Sequence, residues 1–323
     1  RELLAAAALL PGCAASLADF PFDRALEAPG PLGLTLEFYS VTCALLRGPG
    51  GAVLCDPFFT HLPLSKLLFG QSVTDPLALR PFRDRLGDVR AVVVGHAHYD
   101  HAMAVPAVDP YLADDAVFLG SETLAHTFAA SPLRHPVVTL NQQVATKTTP
   151  GQAWVHPGGG LRIRPILSGH PPQWAFFHLF PHRVSAPRTR PPTRVNHYQE
   201  GITLAYLIDF LDGDDIAARV YVQSSSTGPP AGFFPRSLLG ERGVDLALVS
   251  MDVANREQAH GDSVLHLLKP RTVAFTHYED FFRPKDKPPR EIVKVNLEAS
   301  RAFFQDTEET RYLFPGWDSR FAL

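Results

Sequence analysis

The residues with the clearest chemical potential are His96-Ala97-His98-Tyr99-Asp100-His101, three imidazoles and a carboxylate within six positions. In an extended loop, alternate residues project to one side. His96 and His98 can therefore bind one cation together, while Asp100 and His101 turn toward a neighbouring point. Neutral imidazoles with one carboxylate suit Zn²⁺. A chance cluster on a surface loop is the rival reading, and ligand type and spacing argue against it.

The cluster needs a rigid base. Ala91-Val92-Val93-Val94 precedes it, an all-apolar run expected of a strand covered on both faces. Other strands are predicted at Leu34 to Phe38, Thr42 to Arg47, Ala52 to Cys55, Val137 to Leu140 and Leu161 to Leu167. More follow at Ile202 to Phe210, Arg219 to Val222, Leu246 to Met251 and Thr272 to Phe275. Helices are predicted at Pro81 to Leu86, from Ser121 as cap to about Ala129, from Asp262 as cap to Leu268, and at Pro289 to Phe304. Hairpins first and helices between later strands favour packed sheets with helices outside, an α/β (α+β) arrangement. Pro181 to Arg194 carries four prolines and several arginines, so it reads as an inserted loop.

The histidine cluster matches the HxHxDH signature of the metallo-β-lactamase superfamily. Val53-Leu54-Cys55-Asp56-Pro57-Phe58 resembles that family's early strand ending in Asp-Pro. Ser168-Gly169-His170 resembles its third histidine motif, and Phe275-Thr276-His277 its last. The tail His277-Tyr278-Glu279-Asp280-Phe281-Phe282 resembles the branch near ascorbate-phosphate lactonases and N-acyl-phosphatidylethanolamine phospholipases. The resemblance runs from about Leu34 to Phe282. It implies a four-layer αββα sandwich with the metal site along one edge of two sheets.

It also implies ligands. His96, His98 and His170 would bind a first Zn²⁺, and Asp100, His101 and His277 a second. The family usually adds an aspartate bridging both ions. Here the matching turn is Ser224-Ser225-Ser226-Thr227-Gly228. Thr227-Gly228 aligns Ser226 on that position, and a shorter strand aligns Ser224. Either serine weakens the second site, so one or two ions are expected. Asp252, at the end of another apolar strand, would compensate for the missing carboxylate or, as the commoner case, cap the next turn.

Such a centre lowers the pKa of water to roughly 7 and polarises a carbonyl or phosphoryl oxygen. Asp100 would be the catalytic base with one ion and a ligand with two. The expected reaction is hydrolysis of an ester, lactone, amide or phosphodiester. The alternative is a degenerate member that binds metal or ligand without turnover. Asp56 would orient a ligand, or merely start a turn before Pro57. Trp174, Phe176 and Phe177 would form an apolar substrate wall, or plain packing. Arg183, Arg188, Arg190 and Arg194 would meet phosphate if the loop folds over the site; solvated arginines on a loop are the commoner case. His156, His178, His182 and His197 belong to no motif.

The bulk properties set limits. The chain has 323 residues, 45% of them hydrophobic, and a formal net charge of −3. That composition supports a packed core, and there is no basic field for nucleic acid. A small molecule, lipid or phosphoester is the expected partner. Residues 1–12, with the run Leu3 to Leu10 and Gly12 before Cys13, resemble the end of a bacterial lipoprotein signal peptide. Cys13 would carry the lipid and tether the protein in the cell envelope; otherwise it is cytoplasmic. Residues 13–33 read as a linker and 34–323 as one domain, with an insertion at about 171–198. Cys43 and Cys55 flank Gly48-Pro49-Gly50-Gly51. A three-residue hairpin loop places them opposite each other, and a two-residue loop places them on opposite faces. Buried free thiols are expected.

Overall fold

Strand residues alternate between two faces, and this sequence puts apolar side chains on both. In the computed structural model, which describes residues 15–26, 30, 32–172, 178–240 and 242–323, Leu46 and Val53 meet Ile208, Val220 and Leu248 in one interior. The intervening Leu45 and Leu54 face Leu67, Val105 and Leu124. Leu207 and Val249 face Met251 and Leu297. The result is helices, sheet, sheet, helices: the expected αββα sandwich.

The strands are β1 (Asp23–Leu26), β2 (Thr35–Ser40), β3 (Cys43–Gly48), β4 (Gly51–Cys55), β5 (Val89–Val93), β6 (Val117–Gly120), β7 (Val137–Thr139) and β8 (Val155–Gly158). They continue as β9 (Leu161–Leu167), β10 (Leu204–Asp212), β11 (Asp215–Gln223), β12 (Leu246–Ser250), β13 (Thr272–Thr276), β14 (Arg311–Leu313) and β15 (Pro315–Ala322). Among the described residues, one sheet runs β1-β15-β2-β3-β4-β5-β6-β7 and the other β14-β13-β12-β11-β10-β9-β8. The helices are α1 (Leu64–Phe69), α2 (Pro76–Leu79), α3 (Tyr99–Ala102), α4 (Val105–Val108), α5 (Glu122–Phe128), α6 (Met251–His260), α7 (Leu265–Leu268) and α8 (Leu297–Phe303). No helix of the described residues is long and apolar enough to cross a membrane.

The β3–β4 hairpin turns through two residues, since Gly48 pairs with Gly51. Ala44 therefore faces Cys55, and Cys43 points the other way. Both thiols are free and buried, and burial pushes the Cys43 thiol up to about 12.

Several expectations are corrected. The helix predicted from Pro289 to Phe304 is confined to α8. Its first half is not helical: Arg290 is bridged to Ser16 and Glu291 to Glu279, a turn follows at residues 293–294, and Asn296 caps the shorter helix by accepting from the Ala299 amide. Asp262 does not cap α7, because its carboxylate holds the Arg256 guanidinium. Of Pro81 to Leu86, Arg83–Arg85 forms a single 3₁₀ turn. The 13–33 stretch is more than a linker: Asp23–Leu26 pairs with β15. Cys13, Trp174, Phe176 and Phe177 lie outside the described residues.

In the second sheet Asp209 of β10 pairs with both Arg219 of β11 and Arg162 of β9. Arg219 on β11 is 2% exposed and Asp209 on β10 is 0% exposed. The guanidinium donates to both Asp209 oxygens at 2.6 and 2.9 Å, and to the Leu239 and Arg242 carbonyls. Removing Arg219 leaves the buried Asp209 carboxylate with the partly exposed Arg162 as its remaining charged partner. Arg219→Met is expected to cost roughly 3–5 kcal/mol in urea unfolding. A loss below about 1 kcal/mol would class the pair with exposed ion pairs.

Candidate metal centre

The side chains that could ligate a cation emerge along one edge. β5 leads through Val94 and Gly95 to His96, β9 leads to His170, β12 to Asp252 and β13 to His277. β9, β11, β12 and β13 run in the same direction, so their C-terminal ends converge, as do loops in parallel sheets. The two sheets are joined at this point: the Leu204 amide donates to the Gly95 carbonyl at 2.7 Å. A Cβ on Gly95 would lie 2.0 Å from Ser224 Oγ, so glycine permits the close approach.

Two three-ligand groups result. The nitrogens of His96, His98 and His170 lie within 4.8 Å of one another, as do the ligand atoms of Asp100, His101 and His277. The groups adjoin: the rings of His96 and His101 are 4.0 Å apart, and those of His101 and His277 5.4 Å. The residues taken from the sequence as ligands are therefore all brought together.

Neighbouring groups orient the rings. His98 Nε2 donates to the Phe180 carbonyl at 3.2 Å, which leaves Nδ1 free for a ligand. His170 Nδ1 donates to the Pro171 carbonyl at 2.7 Å, leaving Nε2. Asp56 Oδ1 accepts from the Gly95 amide at 2.6 Å. Its Oδ2 accepts from Thr42 Oγ1 at 2.8 Å and from His101 Nδ1 at 3.1 Å. Asp56 thus fixes both the loop and one of its rings, an arrangement typical of residues behind metal ligands. Asp56 and His277 both take left-handed backbone, with φ of 41° and 60°. That conformation costs a non-glycine residue roughly 1–2 kcal/mol.

The donor set fits a divalent cation. Both ring nitrogens of the buried His96 lack a hydrogen-bond partner, and buried polar atoms without partners are costly. Burial holds His96 and His170 well below the usual imidazole range and His98 at about 4. All three are neutral, as ligation requires. The second group differs. Burial opposes charge on His101, but Asp100 and Asp56 outweigh it and raise the ring to about 10. Burial likewise opposes charge on Asp100, yet His101 and His277 hold it well below the usual carboxylate range.

The serine turn departs from the alignment. Ser226 Oγ accepts from the Gly228 amide and so closes its own turn, and Ser224 lies against Gly95. Ser225 is the serine that lines the cavity beside the ligands, and so does Asp252. Ser225 Oγ donates to Asp252 Oδ2 at 3.3 Å. Asp252 sits in the first turn of α6 but turns back to the serines instead of capping; burial raises its carboxyl.

Two residues were missed in the sequence. His178 and Glu200 form a third group with His170, His178 Nε2 lying 2.6 Å from Glu200 Oε2. Burial pushes the Glu200 carboxyl up to about 7. They stand at either end of the inserted loop, which brings them together across 22 positions that no spacing rule connects. The described arginines of that loop, Arg183, Arg188, Arg190 and Arg194, do not line the cavity.

The sequence profile of the metallo-β-lactamase superfamily matches residues 36–114. Over that stretch, about a quarter of the chain, the sequence is similar to the superfamily. The matched stretch holds Asp56 and the whole histidine cluster. Among solved structures, Igni18, a metallo hydrolase of the archaeon Ignicoccus hospitalis, is similar at 19% identity and a TM-score of 0.50, covering 89% of this chain and 98% of its own. An isothiocyanate hydrolase from Delia radicum gut bacteria shares 12% identity at a TM-score of 0.50, over 90% and 99%. A Veillonella parvula protein described as a possible metal-dependent hydrolase shares 12% at 0.51, also over 90% and 99%. These likenesses show a shared fold and nothing finer. No curated protein matches the sequence.

The protonation states separate the two groups. An ion filling the second must displace the His101 proton, so its affinity should rise about tenfold per pH unit up to the raised His101 value. The first group loses no proton near pH 7.5. Calorimetric titration in buffers of different ionisation enthalpy should show about one proton more released with the second ion than with the first. Equal release in both steps would overturn this assignment.

Proposed function

We propose that the protein is a zinc-dependent hydrolase of an ester, lactone or phosphodiester bond. The observation that carries the reading is the pair of adjoining three-ligand groups at the floor of a cavity. His96, His98 and His170 would hold a first ion, and Asp100, His101 and His277 a second. When bound, a divalent ion supplies water of lowered pKa and polarises the oxygen of the scissile group.

The chain's own residues do the rest. Asp100 Oδ2 lies 3.3 Å from His101 Nε2 and 3.6 Å from His277 Nε2. These neighbours keep it ionised despite burial, so it accepts a proton when the first ion alone is held and serves as a ligand when both are. Asp100 lines the cavity beside His98 and His170, within reach of a substrate resting on that floor. Asp56 prevents His101 from swinging away. Asp252 supplies a carboxylate on the same wall, where the serine turn brings none, and helps offset the charge of a second ion.

One observation favours a second reading, a ligand binder without turnover: serines occupy the turn where the family carries its bridging aspartate. Metal counting with an ester and phosphodiester panel separates the two.

Purified protein should contain between one and two equivalents of zinc by elemental analysis, with the second lost first to a mild chelator. His98→Ala should empty the first site. Asp100→Asn should lower kcat by about a hundredfold or more, the range for loss of a general base. A metal-loaded wild type inactive on the whole panel would favour the binder. Asp252→Asn should weaken the second site about tenfold to a hundredfold, the usual cost of losing a group that tunes a metal. Ser226→Asp should leave that affinity unchanged, because the side chain faces its own turn. Tighter second-site binding in Ser226→Asp would restore Ser226 to the bridging position.

A further inference from the structure

The cavity above the ligands measures about 480 Å³, the size that takes a drug-sized molecule. Its walls differ from its floor. Leu67 and Leu68 of α1, Phe180 of the inserted loop, Phe281 after β13, and Val293 and Val295 before α8 form the upper lining. Val293 is 42% exposed, which places it at the mouth. The lining also includes Arg290 and Lys294. Both are already engaged, Arg290 with Asp280 at 2.6 Å and Lys294 with the Pro172 carbonyl at 3.1 Å. Asp100 and Asp252 line the floor beside His98 and His170.

We propose that the substrate is a neutral carboxylic ester or lactone with an apolar acyl or alkyl body that fills this cavity. The inference rests on the hydrolase reading above and adds the substrate's chemistry. An apolar wall rewards each buried methylene. Among the described lining residues Arg290 and Lys294 are engaged elsewhere, so no side chain of the upper lining is set to pair a phosphodiester's charge, whereas a neutral ester needs no such partner. The scissile carbonyl rests on the histidine floor and its chain extends toward Val293. In the reaction water adds to the carbonyl carbon, the bond from that carbon to the ester oxygen breaks, and the leaving oxygen takes a proton. The products are a carboxylic acid and an alcohol, or one hydroxy acid from a lactone.

The test uses the zinc-loaded protein with 4-nitrophenyl acetate, butyrate, hexanoate and octanoate, and with bis(4-nitrophenyl) phosphate. Expected is a rise in kcat/KM of about threefold to fourfold per methylene, the rate equivalent of burying one CH₂ group. Octanoate should be far better than the phosphodiester. N-phenyl-1-naphthylamine, a neutral apolar probe, should fluoresce in the cavity with or without metal. Val293→Asp, a change at a half-exposed position, should abolish both the probe signal and the preference for octanoate over acetate while leaving the metal content intact. A flat chain-length series, or faster phosphodiester cleavage, overturns the substrate class and leaves the hydrolase reading standing. A zinc-loaded protein that binds the probe and cleaves neither class overturns the hydrolase reading itself.

Discussion

The junction at Gly95 holds the site together. Its carbonyl accepts from Leu204 at 2.7 Å, its amide donates to Asp56 at 2.6 Å, and Ser224 lies against its Cα. Those contacts tie the end of β5 to the second sheet. The candidate ligands come from both sides of that seam: His96, His98 and His101 from the first sheet, His170 and His277 from the second. Neither sheet alone carries a complete group. A shift at the seam would separate ligands that must meet within a few ångströms, so the ordinary hydrogen bonds of one loop decide whether a metal can be held.

Electrostatics then differentiates two groups that look alike in composition. The first is three imidazoles kept neutral by burial. The second is an imidazole gripped between two carboxylates, and it carries a proton. Asp56 therefore has opposing effects: it orients His101, and it strengthens the proton that an incoming ion must displace. The same balance keeps Asp100 ionised in a place where burial alone would neutralise it.

The sequence made the histidine motif and its supporting strands legible because both are local. HAHYDH needs no distant partner to be recognised, and β9 was bounded at Leu161 and Leu167 by its own apolar pattern. His170 and His277 were legible through strand ends carrying family motifs. What failed was non-local. His178 and Glu200 meet because a long insertion closes on itself. Asp252 looked like a cap because its neighbour Ser225 is remote in sequence. Helix α8 was overextended because residues 290–291 have helix-compatible side chains but are held extended by bridges to Ser16 and Glu279. β15, with Gly316 and Asp318 interrupting its pattern, gave little strand signal.

The position of β15 has a consequence for how the chain acquires its shape. This strand lies between β1 and β2, with Ser319 opposite Phe38, so adjacent strands in the sheet are separated by most of the sequence. Such pairings are entropically late and slow the search for the native state. During synthesis β2 has an unpaired edge until Pro315–Ala322 has left the ribosome. A nascent chain with an open apolar strand edge is prone to aggregate, and completion of the first sheet waits for the last strand to be made.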